Sequence, residues 1–303
     1  MREIPPINYD KDIDRLMKYY QRSYSRVVTE LIRLLDNGQW NILVEQESSL
    51  ARQLHLILQE NDQLILPEIE ELIKKSVHAG QVQTLLALNE ATTLAEATQQ
   101  VAMTMFAQKT VEKMVTDTFE DVLAITNRTD KRIKQTIRDI SGEVMRMNAM
   151  NQVGLEGSRK EIMEKLLKQG FSKKIQKDFK GVTDSANRKW ELDKYVKMLV
   201  KTKIQQAYSE GVRAESIERG TDLAMISSHG AKDQCKHFEG MVISMTGATQ
   251  GFLTYDALKR SNKIFHPNCE HTITPLRSLD VLPEVLREKH KEMLKNAKSG
   301  KII

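Results

Sequence analysis

Apolar residues recur three or four positions apart along most of the chain, which is the spacing that gathers them on one face of an α-helix. Proline is distributed unevenly, since none occurs between Pro67 and Pro267. Because proline is the residue that most reliably stops a helix, its long absence favours a series of long helices. The pattern predicts a mainly α fold: an elongated bundle of long helices followed by a small C-terminal α+β module.

The N-terminal third of the sequence predicts three helices. The first covers about 9–36 and is ended by Asn37-Gly38, because glycine suits the left-handed residue that follows a helix. The second covers about 40–59, and the polar segment 60–63 is predicted to form a turn after it. Pro67 fits the first turn of the third helix, where its missing N–H costs nothing.

The middle of the chain carries a helical pattern over residues 81–150, with Asn127–Asp130 as the best candidate for a break. A narrow apolar seam follows, with alternating spacings of four and three residues that are typical of a coiled coil. Such a seam indicates helices that pack in pairs or against a neighbouring subunit, so we expect the protein to be oligomeric or bound to partners. The seam consists of Ile133, Ile137, Ile140, Val144 and Met147.

The character of the sequence changes near residue 220. A last long helix is predicted over 185–219 and is closed by Gly220, after which the apolar runs 223–227 and 241–245 have the length of strands. The predicted regions are an N-terminal long-helix region (1–150), a basic helical region (151–221), a small Cys/His-rich α+β module (222–280) and a basic C-terminal tail (281–303).

Charge adds one feature to this picture. The net charge is +5, and residues 158–203 hold fourteen Lys and Arg against six Asp and Glu. This stretch could contact DNA phosphates without reading the base sequence, because few aromatic residues lie nearby to stack on bases. It could equally form a solvated helix face. The residues singled out for phosphate contact are Lys173, Lys174, Lys177 and Lys180.

Membrane and secretory signals do not emerge from the sequence. No stretch approaches the 18 apolar residues of a membrane span, and the N-terminus lacks the apolar core of a signal peptide. We therefore expect a protein that is made in the cytoplasm and has no membrane span. In that reducing compartment Cys235 and Cys269 should be thiols or metal ligands rather than a disulfide.

The most distinctive chemistry lies between His229 and His271, a segment that includes both cysteines and four of the seven histidines. Two short groups, 235–237 and 266–271, could each supply half of a site. Zinc prefers four sulfur or nitrogen ligands in a tetrahedron, commonly given as two close pairs. The first choice of zinc ligands is Cys235, His266, Cys269 and His271, with His237 as the substitute.

Two other interpretations of the same residues stay open. The thiols and imidazoles could form a metal-free staple that hydrogen-bonds the backbone of a small domain with little apolar core. They could also belong to a zinc-dependent, deaminase- or nuclease-like enzyme that modifies nucleic acid, since His237-Phe-Glu239 matches the H-x-E of zinc deaminases. That match is incomplete, because an asparagine separates Pro267 from Cys269 and Gly240 interrupts the helix that should carry the motif.

Both ends of the chain resemble a known family. After Lys189 come a long helix, the segment CKHFEG (235–240) and the closing segment HPNCEHTITPL (266–276). This order is similar to that of the Mu F-like head morphogenesis and minor capsid proteins of tailed bacteriophages. Residues 7–35 also resemble the leading helix of the minor capsid branch. The sequence differs from many relatives at two positions: Lys232 and His271 stand where those relatives have cysteine.

The resemblance implies a structural, non-enzymatic protein of the virion, located inside the capsid near the portal after assembly in the host cytoplasm. It implies portal and capsid proteins as partners, and it makes packaged DNA the polyanion that the basic region could touch. On this hypothesis the helical part makes the protein contacts, and the Cys/His module acts as a compact docking unit.

Overall fold

The computed structural model describes residues 8–36, 47–150, 161, 164–165, 182–183, 189–190 and 192–299. Helix predominates among them and a small sheet lies near the C-terminus, which confirms the mainly α fold with a C-terminal α+β module. The helices are α1 (Asp10–Asp36), α2 (Glu47–Ala87), α3 (Leu94–Gln100), α4 (Met105–Met150), α5 (Leu192–Glu218), α6 (Tyr255–Ser261) and α7 (Glu284–Lys298). The strands are β1 (Val182–Thr183), β2 (Lys189–Trp190), β3 (Leu223–Ile226), β4 (Val242–Ser244) and β5 (Ile273–Leu276).

Helix α1 matches its predicted bounds, but the predicted turn at 60–63 and the helix start at Pro67 are wrong. Helix α2 runs without interruption through both, and the part of the prediction at 40–46 lies outside the described residues. The polar residues of the supposed turn are buried and have tertiary partners. Ser23 Oγ donates to Asn61 Oδ1 at 2.9 Å, and Thr126 Oγ1 donates to Asp62 Oδ1 at 2.8 Å. These partners outweigh the local preference of Asn and Asp for turns.

The predicted break at Asn127–Asp130 is also wrong, because α4 continues through it. Thr129 is buried and its hydroxyl donates to the carbonyl of Ile125 one turn earlier, at 2.9 Å. The interruption lies instead between α2 and α4, where Asn89 has a positive φ of 57°. Thr93 then caps α3 by accepting from the N–H of Glu96 at 3.2 Å. The side chains of the predicted coiled-coil seam lie outside the described part of the chain.

Helix α5 begins later than predicted, since Lys189–Trp190 is a short strand paired with Val182–Thr183. Its end is as predicted, because Gly220 has the positive φ of 64° that closes a helix. The helical spacing of its apolar residues predicts that Trp190, Tyr195, Leu199, Ile204, Ala207 and Val212 face inward. Of these, Ile204, Ala207 and Val212 are buried. Tyr195 and Leu199, which were predicted with them, are partly exposed, and the side chain of Trp190 lies outside the described residues.

The chain divides into two compact units. One consists of the described residues of Asp10–Glu68 and Thr118–Lys197. Within it, α1 packs antiparallel to the first half of α2, and Ile13, Leu16 and Tyr20 are buried. Arg26 Nη1 pairs with Glu60 Oε2 at 2.7 Å. Nearer the start of α1, Arg15 Nε and Tyr19 Oη both donate to the Glu68 carboxylate, at 3.1 and 2.9 Å.

The other unit consists of the described residues of Met1–Tyr9, Ile69–Asp117 and Met198–Ile303. Its centre is a close parallel pair formed by the second half of α2 and by α5. Ser76 Oγ donates to the carbonyl of Ile204 at 2.7 Å, and Thr84 Oγ1 donates to that of Val212 at 3.4 Å. Gly80 lies between these two contacts, and a Cβ added there would overlap the carbonyl oxygen of Tyr208. The absence of that carbon lets the two backbones approach.

The C-terminal part of this unit contains a three-stranded antiparallel sheet in the order β4-β3-β5. Strands β3 and β4 agree with the predicted runs 223–227 and 241–245, whereas β5 was not predicted as a strand. The sheet packs into an apolar core that includes the fully buried side chains of Phe238, Met241 and Tyr255. Cys235 and Cys269 belong to the same core. The Cys/His cluster is therefore built into a packed module.

Candidate metal centre

Two turns position the Cys/His cluster. The first is a single 3₁₀ turn, Gln234–His237, which Asp233 caps by accepting from the N–H of Cys235 at 3.0 Å. The second is the loop before β5, where the N–H of Cys269 donates to the carbonyl of His266 at 2.9 Å. Phe265 and Asn268 both adopt left-handed backbone conformations, with φ of 57° and 63°. Such a conformation is rare for a bulky residue such as Phe265, and backbone strain of this kind clusters at functional sites.

These turns bring all four first-choice ligands into one chain of contacts. Cys235 Sγ lies 3.0 Å from His266 Nε2 and 3.8 Å from Cys269 Sγ, and Cys269 Sγ lies 3.3 Å from His271 Nδ1. In a tetrahedral zinc site with Zn–S near 2.3 Å and Zn–N near 2.0 Å, ligand atoms are separated by about 3.3 to 3.8 Å. The Cys235–Cys269 and Cys269–His271 separations match these values, and the ligand atoms of Cys235, Cys269 and His271 all lie within 4.8 Å of one another, whereas His266 joins them through its contact with Cys235.

The second ring nitrogen of each histidine faces an oxygen. His266 Nδ1 lies 2.8 Å from the backbone carbonyl of Pro267, and His271 Nε2 lies 3.4 Å from Glu239 Oε1. When His266 Nδ1 and His271 Nε2 carry the proton, the other ring nitrogens, His266 Nε2 and His271 Nδ1, are unprotonated. Their lone pairs then face the sulfur atoms of the cluster. An imidazole held in this way by a carbonyl or a carboxylate is the usual arrangement around a protein-bound metal.

Glu239 is anchored independently of the histidine. Its Oε1 accepts from the backbone N–H of His229 at 2.9 Å and from that of Ala231 at 3.0 Å. Burial raises the pKa of Glu239, but these hydrogen bonds and His271 outweigh it and bring the pKa to about 2. The carboxylate is therefore charged and fixed in place, so it can orient the ring of His271.

Burial also shifts the pKa values of two of the candidate ligands. It raises the pKa of the Cys235 thiol well above its ordinary value, and the neighbouring Cys269 adds to this effect. Burial, followed by the charge of His229, lowers the pKa of His271, which favours the neutral imidazole that metals bind. A bound cation would reverse the balance at the sulfur atoms, because a coordinating thiol is deprotonated.

The predicted substitute ligand does not join the cluster, whereas His229 and Asp233, which were not predicted as ligands, lie beside it. His237 is exposed and is not among the described residues whose ligand atoms converge here. His229 stacks on His271 with ring centroids 4.1 Å apart and forms a second cluster with His271 and Glu239. Asp233 forms a third with Cys235 and His266. Lys173, Lys174, Lys177 and Lys180 lie outside the described residues.

The role of Glu239 differs from the one that the sequence suggested. Glu239 was noticed only as the acidic residue of an H-x-E motif, in which His237 would bind the metal. In the structure His237 is exposed, and Glu239 faces His271, which lies 32 residues further along the chain. No local signal predicts that pairing, although the Glu239-Gly240 sequence at the end of a tight turn marks a position where the chain reverses.

The fold and the cluster together define a largely helical protein with a compact C-terminal module in which Cys235, Cys269 and His271 converge and His266 contacts Cys235. Among the residues that the structure describes, no helix combines the length and the apolar character needed to cross a lipid bilayer. A family model described as Phage minor capsid protein 2 matches residues 6–301. The chain belongs to this family, and the resemblance to phage minor capsid proteins is confirmed. A search of curated proteins and a search of solved structures each found no match.

Membership of this family makes the chain a structural phage protein and a component of the virion. Its partners are therefore other structural proteins of the phage particle. The family covers the helical regions and the Cys/His module alike, so both belong to one protein architecture rather than to a carrier with an unrelated domain attached.

Proposed function

We propose that this protein is a non-enzymatic minor component of the phage head that associates with portal and capsid proteins inside the particle, near the portal, after assembly in the host cytoplasm. The observation that carries the proposal is the family match over residues 6–301. A match of that length covers the helical regions and the Cys/His module together.

The geometry of the cluster supports a structural role over an enzymatic one. A cavity of about 10 Å³ adjoins the cluster, lined by residues that include Gln205, His266 and His271. A volume of that order holds about one water molecule, so it offers no space for a nucleobase or another organic substrate. In addition, the Glu239 carboxylate already accepts two backbone hydrogen bonds, which suits a fixed support rather than a residue that gains and loses protons during turnover.

Exposed apolar side chains support a partner-bound state. Met103, Met105 and Phe106 are 54%, 74% and 48% exposed, within four consecutive positions at the start of α4. Several large apolar residues exposed together are typical of surfaces that contact another protein. The helical part is accordingly the part that we expect to meet neighbouring structural proteins.

Co-expression tests the proposed partners. The full-length chain is produced together with the portal and major capsid proteins of the same head-gene cluster, and the complexes are isolated through a tag on the portal protein. We expect the chain to co-purify in a reproducible ratio, and not with a tagged portal protein from an unrelated phage. A chain that stays monomeric and never enters the portal fraction would contradict the proposal.

The competing function is a zinc-dependent enzyme that modifies nucleic acid. Incubation of the purified protein with single-stranded and double-stranded DNA and with RNA, in the presence of zinc, is expected to give neither deamination nor cleavage. Turnover that Glu239→Gln abolishes would establish the enzyme instead and would overturn the proposal.

Contact with packaged DNA is the remaining part of the proposal, and it rests on the charge of residues 158–203. Replacement of Lys173, Lys174, Lys177 and Lys180 by Gln should weaken binding to random-sequence DNA. It should also reduce the dependence of binding on salt, by about four released counterions if all four contact phosphates. An unchanged salt dependence would assign these lysines to a solvated surface.

A further inference from the structure

We infer that Cys235, His266, Cys269 and His271 hold one structural zinc ion, and that Glu239 positions His271 for it. This inference is independent of any partner in the phage head. Cys235, Cys269 and His271 supply three converging ligand atoms, and His266, whose Nε2 lies 3.0 Å from Cys235 Sγ, is the nitrogen that completes the set when it turns toward the ion.

The four ligands are preferred to the overlapping sets because each of the alternatives is less suitable. A set of His229, Glu239 and His271 would need the Glu239 oxygen that already accepts two backbone N–H groups. Asp233 could join Cys235 and His266, but its Oδ1 caps the turn that carries Cys235, and its side chain is 58% exposed. By contrast, Cys235, Cys269 and His271 are all buried, and their ligand atoms lie within 4.8 Å of one another.

The donor set selects the metal. Two thiolates and two imidazoles are soft or borderline ligands, which zinc prefers and which calcium and magnesium do not. Four protein ligands also fill the tetrahedral coordination of zinc, so no position is left for a substrate or an activated water. The site is therefore structural, in agreement with the small cavity beside it.

The ion would link two separate segments of the module, the turn that carries Cys235 and the loop before β5. Cys235 belongs to the turn before β4, whereas the other three ligands belong to the loop before β5. The same loop is docked on α5, where the N–H of Asn268 donates to Thr202 Oγ1 at 3.1 Å and Gln205 Nε2 donates to the carbonyl of His271 at 3.2 Å. Metal binding thus closes the segment between the two cysteines and stabilises the loop against the helix.

The test uses the full-length protein, purified without chelators from cells supplied with zinc. Elemental analysis should give about one zinc per chain after dialysis. Cys235→Ser and Cys269→Ser should each lower the zinc content by at least tenfold. His237→Ala should retain the wild-type content, and it is the matched control because His237 is an exposed histidine two residues from a ligand. A strong zinc chelator should lower the Tm of the wild-type protein by about 10 °C and that of the cysteine variants little.

The support by Glu239 has its own readout. Glu239→Gln should still bind one zinc at saturation but with an affinity about 10- to 100-fold weaker, as for other supports of metal-binding histidines. Because the cysteine variants could fail to fold, Co²⁺ is also titrated into metal-free wild-type protein, where tetrahedral sulfur coordination gives intense visible absorption bands. Wild-type protein that carries no zinc and gives no such bands would overturn the inference, as would an unchanged zinc content in both cysteine variants.

Discussion

Gly80 offers the sharpest test of the packing that supports the C-terminal module. Gly80→Ala adds a single carbon at the closest approach of α2 and α5, where that carbon would overlap the carbonyl oxygen of Tyr208 and lie 2.7 Å from the backbone nitrogen of Val212. Both neighbours are backbone atoms of a helix, so neither can rotate away as a flexible side chain could. The helices must therefore separate.

The cost of this separation has two parts. Overpacking a close contact costs about 1–3 kcal/mol. The hydrogen bonds from Ser76 and Thr84 on either side would also lengthen or break, at about 1 kcal/mol each. Alanine recovers about 0.5–1 kcal/mol because it favours helix over glycine. The free energy of unfolding should fall by about 2–4 kcal/mol in total.

Chemical denaturation of the full-length protein, followed by circular dichroism, measures this change. Gly142→Ala is the control, since Gly142 also lies inside a long helix but a Cβ there would meet nothing within 4 Å. That variant should be more stable than the wild type by about 0.5–1 kcal/mol. If Gly80→Ala proved as stable as Gly142→Ala, the close parallel pairing of α2 and α5 would be refuted.

Asp62 and Asp222 are expected to change the stability of the protein in opposite directions as pH rises. Burial raises the pKa of Asp62 to about 6 against a hydrogen bond from Thr126, so its contribution falls as pH rises between about 4 and 6. Asp62→Asn should therefore raise the free energy of unfolding at pH 7 by about 1–2 kcal/mol and make stability less dependent on pH between about 4 and 6. An unchanged pH dependence in the variant would count against a raised pKa of Asp62. Burial also raises the pKa of Asp222, but hydrogen bonds from Ser244, Thr246 and Thr249 outweigh it and hold the pKa well below its ordinary value. The stabilisation by the Asp222 carboxylate is present above its unfolded-state pKa and is lost as pH falls below that value. Asp222→Asn should therefore destabilise the protein by about 2–3 kcal/mol at pH 7 and by less near pH 3. Equal losses at both pH values would contradict the prediction.

Periodicity predicted those elements whose signal is local. Helix α1, the end of α5 at Gly220 and strands β3 and β4 follow from apolar spacing and from a single glycine. The predicted turn at 60–63 was wrong because its polar residues are buried and bonded to residues distant in sequence. Asp62, for example, accepts a hydrogen bond from Thr126. Spacing alone gives no information about such partners.

The cluster divides in the same way. Its four ligand candidates were chosen from residue type and spacing, because two short groups of Cys and His can each supply half of a zinc site. The support from Glu239 and the docking of the loop on α5 could not be predicted, since both depend on contacts across 32 to 66 residues. The closeness of Gly80 to Tyr208 is likewise a property of the assembled helices and leaves no mark in either sequence segment.

X-ray absorption at the zinc edge tests the account of the Cys/His module most directly, because it reports the atoms bound to the metal in the intact protein. A zinc ion held by the four proposed ligands would have two sulfur neighbours at about 2.3 Å and two nitrogen neighbours at about 2.0 Å. His237→Ala should leave that spectrum unchanged. A shell made only of nitrogen and oxygen atoms would show that the metal, if bound, is held elsewhere, and it would contradict a module tied together by Cys235 and Cys269.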